Sequence, residues 1–180
     1  MIKKFESQFN GTKEMSEKHF IDPEILSSFL KENIPNFSGQ LEIQEFIGGQ
    51  SNPTYFLDSG DKSYVLRRKP PGVLLKTAHA VDREFKVISA LNKTDVPVPK
   101  AYLHCEDESL IGTEFFVMEY IDGTVIWDSH IPHGTNEDRY QIYSEMNETM
   151  ERWQSVDPFK MGLEDFGQHE NYVDRHGARW

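Results

Sequence analysis

The chain has 180 residues, of which 37% are hydrophobic and 12% aromatic, a composition too apolar for a disordered protein and sufficient for a buried core. Its net charge of −11 argues against a nucleic-acid-binding surface, and no segment approaches the roughly 18 consecutive apolar residues of a membrane span. The N-terminus lacks the apolar region of a signal peptide and Cys105 is the single cysteine, so we expect a cytoplasmic protein without an internal disulfide.

The N-terminal part of the chain predicts a flexible arm followed by a helix. Residues 1–20 are polar and show no periodicity, which is typical of an arm. In "DPEILSSFLKENI", Asp22 is a typical N-cap and Pro23 a typical first helical residue. The apolar residues predicted to lie on one face of this helix are Ile25, Leu26, Phe29 and Leu30.

Short strand patterns begin at Leu41. The runs "LEIQEFI", "TYFLD" and "SYVLRR" predict a three-stranded antiparallel meander, with the turn "SGDK" between the last two runs. A glycine-containing loop separates the first two runs. The meander is therefore expected to carry this loop at the tip of a hairpin.

Further elements follow the meander. A helix is predicted over about residues 78–91, because Val81, Phe85 and Ile88 recur at helical spacing. The runs "KAYLHCE" and "TEFFVMEYI" predict two more strands that are joined by a turn near Gly112. These patterns give five strands with one helix inserted after the third.

The character of the sequence changes after "DGTV". A long helix is predicted from about Asn136 to Val156. Its residues predicted to face inward are Ile142, Met146, Met150 and Trp153. We therefore divide the chain into the arm, a lobe over 21–121 that includes the leading helix, and the start of a helical lobe over 122–180.

Five motifs carry a family resemblance: "GGQSNPTY", "YVLRRKPPG", "AHAVDRE", "VPVPK" and "FFVMEYIDGTV". In this order and spacing they resemble the aminoglycoside phosphotransferase and choline kinase family, and most of all the kinase-like domain often joined to acyl-CoA dehydrogenases. The resemblance runs from Glu42 to Trp180. It implies an α+β, protein kinase-like fold: a five-stranded antiparallel N-lobe sheet with one inserted helix, then the beginning of a helical C-lobe.

The glycine loop is the first predicted part of a nucleotide site. Glycines permit a close backbone approach to a bulky anion, and N–H, hydroxyl and amide groups can donate hydrogen bonds to phosphate oxygens. An ordinary hairpin turn is the alternative interpretation, and the loop departs from the G-x-G-x-x-G pattern of protein kinases. The residues predicted to bind here are Gly48, Gly49, Gln50, Ser51 and Asn52.

A cation beneath that loop is the second predicted part. Kinases place a lysine on the third strand, which contacts the phosphates and pairs with a glutamate of the next helix. The resemblance puts Arg67 in the place of that lysine and Glu84 in the place of the glutamate. Strand alternation turns Arg68 to the opposite sheet face. Without the family order, a pair of surface charges would be the better interpretation.

The third predicted part is a hinge in "FFVMEYIDG". The backbone of Met118, Glu119 and Tyr120 is expected to offer N–H and C=O groups to an adenine edge, and a strand that ends in a turn is the alternative. His79, at the predicted start of the inserted helix, could cap that helix or contact a ligand, with a surface histidine as the default expectation.

The catalytic loop of the family, H-x-D-x-x-x-x-N, does not occur in this sequence, since no histidine is followed two positions later by aspartate. We therefore expect no catalytic residue and no metal ligand in this chain. The resemblance implies the nucleotide-binding N-terminal portion of an ATP-dependent phosphotransferase, truncated before its catalytic loop, with Mg²⁺ expected only in a full-length protein.

The acceptor implied by the resemblance is a small-molecule hydroxyl, such as that of an aminoglycoside, a choline-like alcohol or a hydroxyacyl-CoA. The alternative is a non-catalytic nucleotide-binding or protein-interaction module of kinase-like fold. An incomplete helical lobe is also expected to self-associate through the apolar face of its long helix.

Overall fold

An antiparallel sheet organises the computed structural model, which describes residues 11–47, 52–72, 79–126, 128–132, 134–167 and 177. Within those residues the sheet has six strands in the order β1-β2-β3-β4-β6-β5. The strands are β1 (Thr12–Lys13), β2 (Glu42–Phe46), β3 (Thr54–Asp58), β4 (Ser63–Arg68), β5 (Ala101–Cys105) and β6 (Phe115–Glu119). The α-helices are α1 (Pro23–Asn33), α2 (Val81–Leu91), α3 (Glu108–Ile111) and α4 (Asn136–Ser155), and a 3₁₀ turn spans Glu17–His19.

The sheet has one strand more than the five predicted, because β1 pairs with the outer edge of β2. The Tyr55 hydroxyl donates to the His19 carbonyl oxygen at 3.1 Å, so the segment after β1 also contacts the sheet. The segment predicted as a flexible arm over 1–20 thus contains a short strand and contacts the sheet, while residues 1–10 lie outside the described residues. Edge pairing uses backbone N–H and C=O groups, which a search for side-chain periodicity does not detect.

Helix α1 begins as its sequence predicts. The Asp22 carboxylate accepts the N–H groups of Glu24 at 2.9 Å and Ile25 at 3.2 Å, which caps the first turn. Leu26 and Leu30 are buried, whereas Ile25, predicted to lie on the same face, is exposed. The contact surface of α1 is narrower than the apolar stripe in the sequence.

The two faces of the sheet have different partners. One face packs with α1 in the main hydrophobic core and contributes Tyr55, Leu57, Tyr64, Leu66, Leu103, Cys105, Phe115 and Val117. Helix α2 lies on the other face, where the Phe85 ring stacks on His104 at 5.3 Å and contacts Phe116 at 5.9 Å. We call this second face of the sheet, against which α2 packs, the α2 face. It also carries Phe56, Val65, Arg67 and Met118.

The connection between β5 and β6 is a short helix rather than the simple turn predicted. Asp107 caps α3 by accepting the N–H of Ser109 at 2.9 Å. Its hydrogen bonds with Ser109 hold the pKa of the Asp107 carboxyl below its usual value. Gly112 ends the helix with a φ of 86°, a left-handed conformation that suits glycine.

Helix α4 has the predicted start and almost the predicted end, but its apolar stripe is not buried. Thr135 and Asp138 form a reciprocal capping box at its N-terminus. Met146, Met150 and Trp153 are exposed and Ile142 is only partly buried, so the expectation that these four residues face inward is wrong for the described part of the chain. Self-association through this face stays a prediction. None of the described helices combines the length and the apolarity needed to cross a bilayer.

Two glycines give a matched test of the loops that flank the sheet. Gly39 has a φ of +94°, and a Cβ atom there would lie 2.0 Å from the Ser59 carbonyl oxygen. Gly60 has a φ of +86°, but its Cβ would meet no atom within 4 Å. Left-handed strain costs about 1–2 kcal/mol and overpacking about 1–3 kcal/mol. We expect Gly39→Ala to lower the free energy of unfolding by about 2–5 kcal/mol and Gly60→Ala by about 1–2 kcal/mol. Equal losses in urea unfolding would contradict the close approach.

Candidate functional site

Arg67 and Glu84 are brought together across the α2 face. Arg67 Nε lies 3.0 Å from Glu84 Oε2, and Arg67 Nη2 donates to Glu84 Oε1 at 3.3 Å. Their side chains are 32% and 38% exposed, so the pair is reachable from solvent. A guanidinium carries five N–H groups, so Arg67 can contact the Glu84 carboxylate and still donate hydrogen bonds to an anion. The structure therefore forms the pair that the sequence predicts.

Asn52 connects this pair to the glycine loop. Only 6% of the residue is exposed to solvent. Asn52 Nδ2 donates to Glu84 Oε1 at 3.2 Å, and Asn52 Oδ1 lies 2.9 Å from His79 Nδ1. Asn52 is thus held by side chains on α2 and just before it. Gly48, Gly49, Gln50 and Ser51 lie outside the described residues.

Arg68 points into the opposite face, as strand alternation predicts. It is 3% exposed, and its Nε donates to Thr113 Oγ1 at 2.9 Å. Burial raises the pKa of the nearby Tyr55 to about 12, although the Arg68 charge acts in the other direction. Arg68 therefore belongs to the core under α1 and does not share a surface with Glu84.

The predicted hinge lies beside an aromatic part of the α2 face. The Tyr120 and Phe56 rings meet edge to face at 4.9 Å, and Val65 pairs with Met118 on the adjacent strands. The Glu119 N–H donates to the Lys100 carbonyl oxygen at 2.8 Å. That N–H is already used within the fold, so the predicted contribution of Glu119 to an adenine edge is limited to its carbonyl group.

Comparison with known proteins assigns the chain to a family. The model of a family described as phosphotransferase enzymes matches residues 42–180. The chain belongs to this phosphotransferase family. The resemblance inferred from the five motifs is therefore confirmed.

Several relatives of this phosphotransferase-family chain are proteins much longer than the chain itself. It is 40% identical over 173 residues to acyl-CoA dehydrogenase family member 11 of Rattus norvegicus, covering 94% of this chain and 22% of the relative. The Homo sapiens protein of the same name is 39% identical over 171 residues, with 93% and 22% covered. The chain thus spans about a fifth of the length of these curated relatives.

A solved structure supports the fold. The crystal structure of a Ralstonia eutropha protein, provisionally assigned as an aminoglycoside phosphotransferase, matches with a TM-score of 0.77 and 40% identity. The match covers 89% of this chain and 46% of that one. The predicted α+β, kinase-like fold is therefore confirmed, with β1 as the additional strand.

Three polar contacts in this phosphotransferase-family chain were not predicted as site features. His79 was expected to be a surface histidine by default, but it is half-buried and contacts Asn52. Further along the α2 face, the Glu114 carboxylate contacts Lys69 Nζ and lies 2.8 Å from His104 Nε2. The hydrogen bond that the Lys69 ammonium donates to the Glu114 carboxylate raises the pKa of Lys69. His79 and Asn52 are 27 positions apart and Lys69 and Glu114 are 45 positions apart, so local spacing could not relate either pair.

A cavity of about 670 Å³ adjoins the candidate site. Asn52, His79 and Glu84 line its polar side, whereas Trp153 and Phe166 line part of its apolar side. The Arg83 guanidinium lies 4.1 Å from the centre of the Phe166 ring and donates to the Phe166 carbonyl oxygen. The candidate site therefore opens toward the segment that follows α4.

Proposed function

We propose that this chain binds ATP as the nucleotide-binding part of a phosphotransferase that acts on a small-molecule hydroxyl. The observation that carries the proposal is the Arg67–Glu84 pair on the α2 face, next to the buried Asn52. In kinase-like enzymes, an equivalent pair holds a cation against the α- and β-phosphates. Family membership supports the same type of reaction.

Each group has a distinct part in the proposed binding. Arg67 donates to phosphate oxygens, and its planar guanidinium suits bidentate contact better than a lysine ammonium does. Glu84 orients that guanidinium from α2. The aromatic and aliphatic side chains of Phe56, Val65 and Met118 provide an apolar surface for the base. The carbonyl of Glu119 and the backbone of Tyr120 are the proposed polar contacts.

The donor groups fit the phosphates of a nucleotide but not a magnesium site. Across the part of the chain that the structure describes, no three His, Cys, Asp or Glu residues are grouped closely enough to hold a metal ion. We therefore assign no step to a metal bound by these residues. For the acceptor, the names of the relatives favour a hydroxyl carried on an acyl-CoA, among the alternatives considered above.

The direct test is binding of ATP to the 180-residue protein, followed by thermal unfolding. A dissociation constant of about 1 mM would stabilise the protein by about 1.4 kcal/mol at about 10 mM ATP, which corresponds to a rise in Tm of roughly 3–5 °C. Adenosine is the matched control, because it keeps the base and lacks the phosphates. We expect a smaller rise with adenosine. Equal shifts with both ligands, or none with ATP, would contradict the proposal.

We also predict that the 180-residue protein does not turn ATP over. Its sequence contains no H-x-D-x-x-x-x-N loop, so it lacks the aspartate that handles the acceptor hydroxyl and the asparagine that helps to hold magnesium. The measurement is phosphate transfer from labelled ATP to a panel of aminoglycosides, choline and hydroxyacyl-CoA. Turnover that persists after contaminating kinases are removed would show that other residues perform the chemistry.

A further inference from the structure

A series of side-chain contacts joins His79, two positions before the first residue of α2, to the proposed phosphate-binding arginine. His79 contacts Asn52, Asn52 donates to Glu84, and Glu84 pairs with Arg67. We call these four residues the α2 network. The network connects the end of the glycine loop, the start of α2 and the face of β4. Its terminal member, His79, has no part in the proposed binding described so far.

The chemistry of the network determines the direction of each hydrogen bond. An ionised carboxylate only accepts, so the Asn52 amide must turn its Nδ2 toward Glu84. Its Oδ1 then faces His79 Nδ1, which must donate. The flipped amide would set an oxygen against the carboxylate and lose that bond. The Glu84 charge therefore imposes both the amide orientation and a proton on His79 Nδ1.

The backbone of His79 supports a role for its side chain. Its φ is +62°, a left-handed conformation that costs a residue other than glycine about 1–3 kcal/mol. Glycine would adopt this conformation without that cost. The imidazole offsets the cost by giving the buried Asn52 oxygen a donor, since an unpaired buried acceptor is itself unfavourable.

We propose that His79 is a positioning residue for the nucleotide site: its Nδ1–H orients Asn52, which in turn holds Glu84 in place to align Arg67. The expected effect of His79 on ATP binding rests on the proposed function. The assignment of the hydrogen bond between His79 and Asn52 rests on the geometry alone. Protonation of the other ring nitrogen leaves Nδ1–H in place, so both the neutral ring and the imidazolium can make the contact.

Two substitutions separate the side chain from the backbone. His79→Gly and His79→Asn both tolerate positive φ, but only asparagine offers an N–H donor close to the position of Nδ1. We expect His79→Gly to weaken ATP binding about threefold to tenfold, the range of one hydrogen bond, and His79→Asn to restore most of the affinity. Affinity that is unchanged in His79→Gly, or equally weak in both variants, would overturn the positioning role.

The wild-type protein provides a second measurement that does not depend on nucleotide. Nitrogen-15 NMR of the imidazole distinguishes the two neutral tautomers, and we expect the proton on Nδ1 of His79. A proton on Nε2 alone would overturn the hydrogen-bond assignment. If ATP does not bind to the wild type, the proposed function fails and the positioning role fails with it, whereas the NMR measurement still decides the assignment.

Discussion

Replacing Arg67 with alanine is expected to remove most of the ATP-induced rise in Tm. Charge-assisted hydrogen bonds contribute about 1.5–3 kcal/mol, so their loss should weaken binding roughly 10- to 100-fold. The substitution also leaves the Glu84 carboxylate without its cation, and its negative charge then faces the phosphates. The measurement is a thermal-shift titration with ATP. Arg67→Lys keeps the charge and loses the planar fork, so it should bind with intermediate affinity.

Arg68→Ala is the positional control for this experiment. Arg68 is the next residue along β4, but it donates to Thr113 within the core on the other side of the sheet. We expect this variant to have a lower Tm without ligand, because it loses a buried hydrogen bond and leaves a cavity. Its ATP-induced rise should remain. If the ATP-induced rise in Tm disappears in Arg68→Ala and persists in Arg67→Ala, the nucleotide binds on the sheet face that packs against α1.

Replacing Phe115 with alanine is expected to cause a large loss of stability. The side chain is 0% exposed, and its ring meets Phe29 of α1 edge to face at 6.0 Å. Truncation of a fully buried phenylalanine costs about 3–5 kcal/mol, since it removes transfer free energy and leaves a cavity. The loss can be measured by urea unfolding, as a lower midpoint at an unchanged m-value.

Phe20→Ala is the matched control, because the same atoms are removed from a residue that is 59% exposed. We expect a change within about 0.5 kcal/mol, as for most surface substitutions. Similar losses for Phe20→Ala and Phe115→Ala would indicate that the interface between α1 and the sheet does not provide the main core.

Side-chain positions at the candidate site follow most directly from the sequence where neighbouring residues determine the geometry. Alternation along β4 places Arg67 and Arg68 on opposite faces in any extended strand, and both positions agree with that rule. Helical spacing places Glu84 on the side of α2 that meets the sheet, where it finds Arg67. Each conclusion needs only the period of one element and the order of the elements.

His79 shows why another part of the site could not be predicted. The chemistry of the residue is visible in the sequence, but its left-handed backbone and its contact with Asn52 arise from the way in which two loops end beside each other. The residues are 27 positions apart, and no local period relates them. The same reason applies to the contact between Lys69 and Glu114, which are 45 positions apart.

The sequence by itself determined the strands of the meander, the cap of α1, the position of α2 and the family, because each depends on local propensity, periodicity or ordered motifs. Only the tertiary structure decided that β1 extends the sheet, that Ile25 and the α4 stripe remain exposed, and that His79 joins the α2 network. Edge pairing, burial and hydrogen bonds between distant side chains depend on which surfaces meet. Amphipathic spacing shows that a face is apolar, whereas the neighbouring elements determine whether that face is covered.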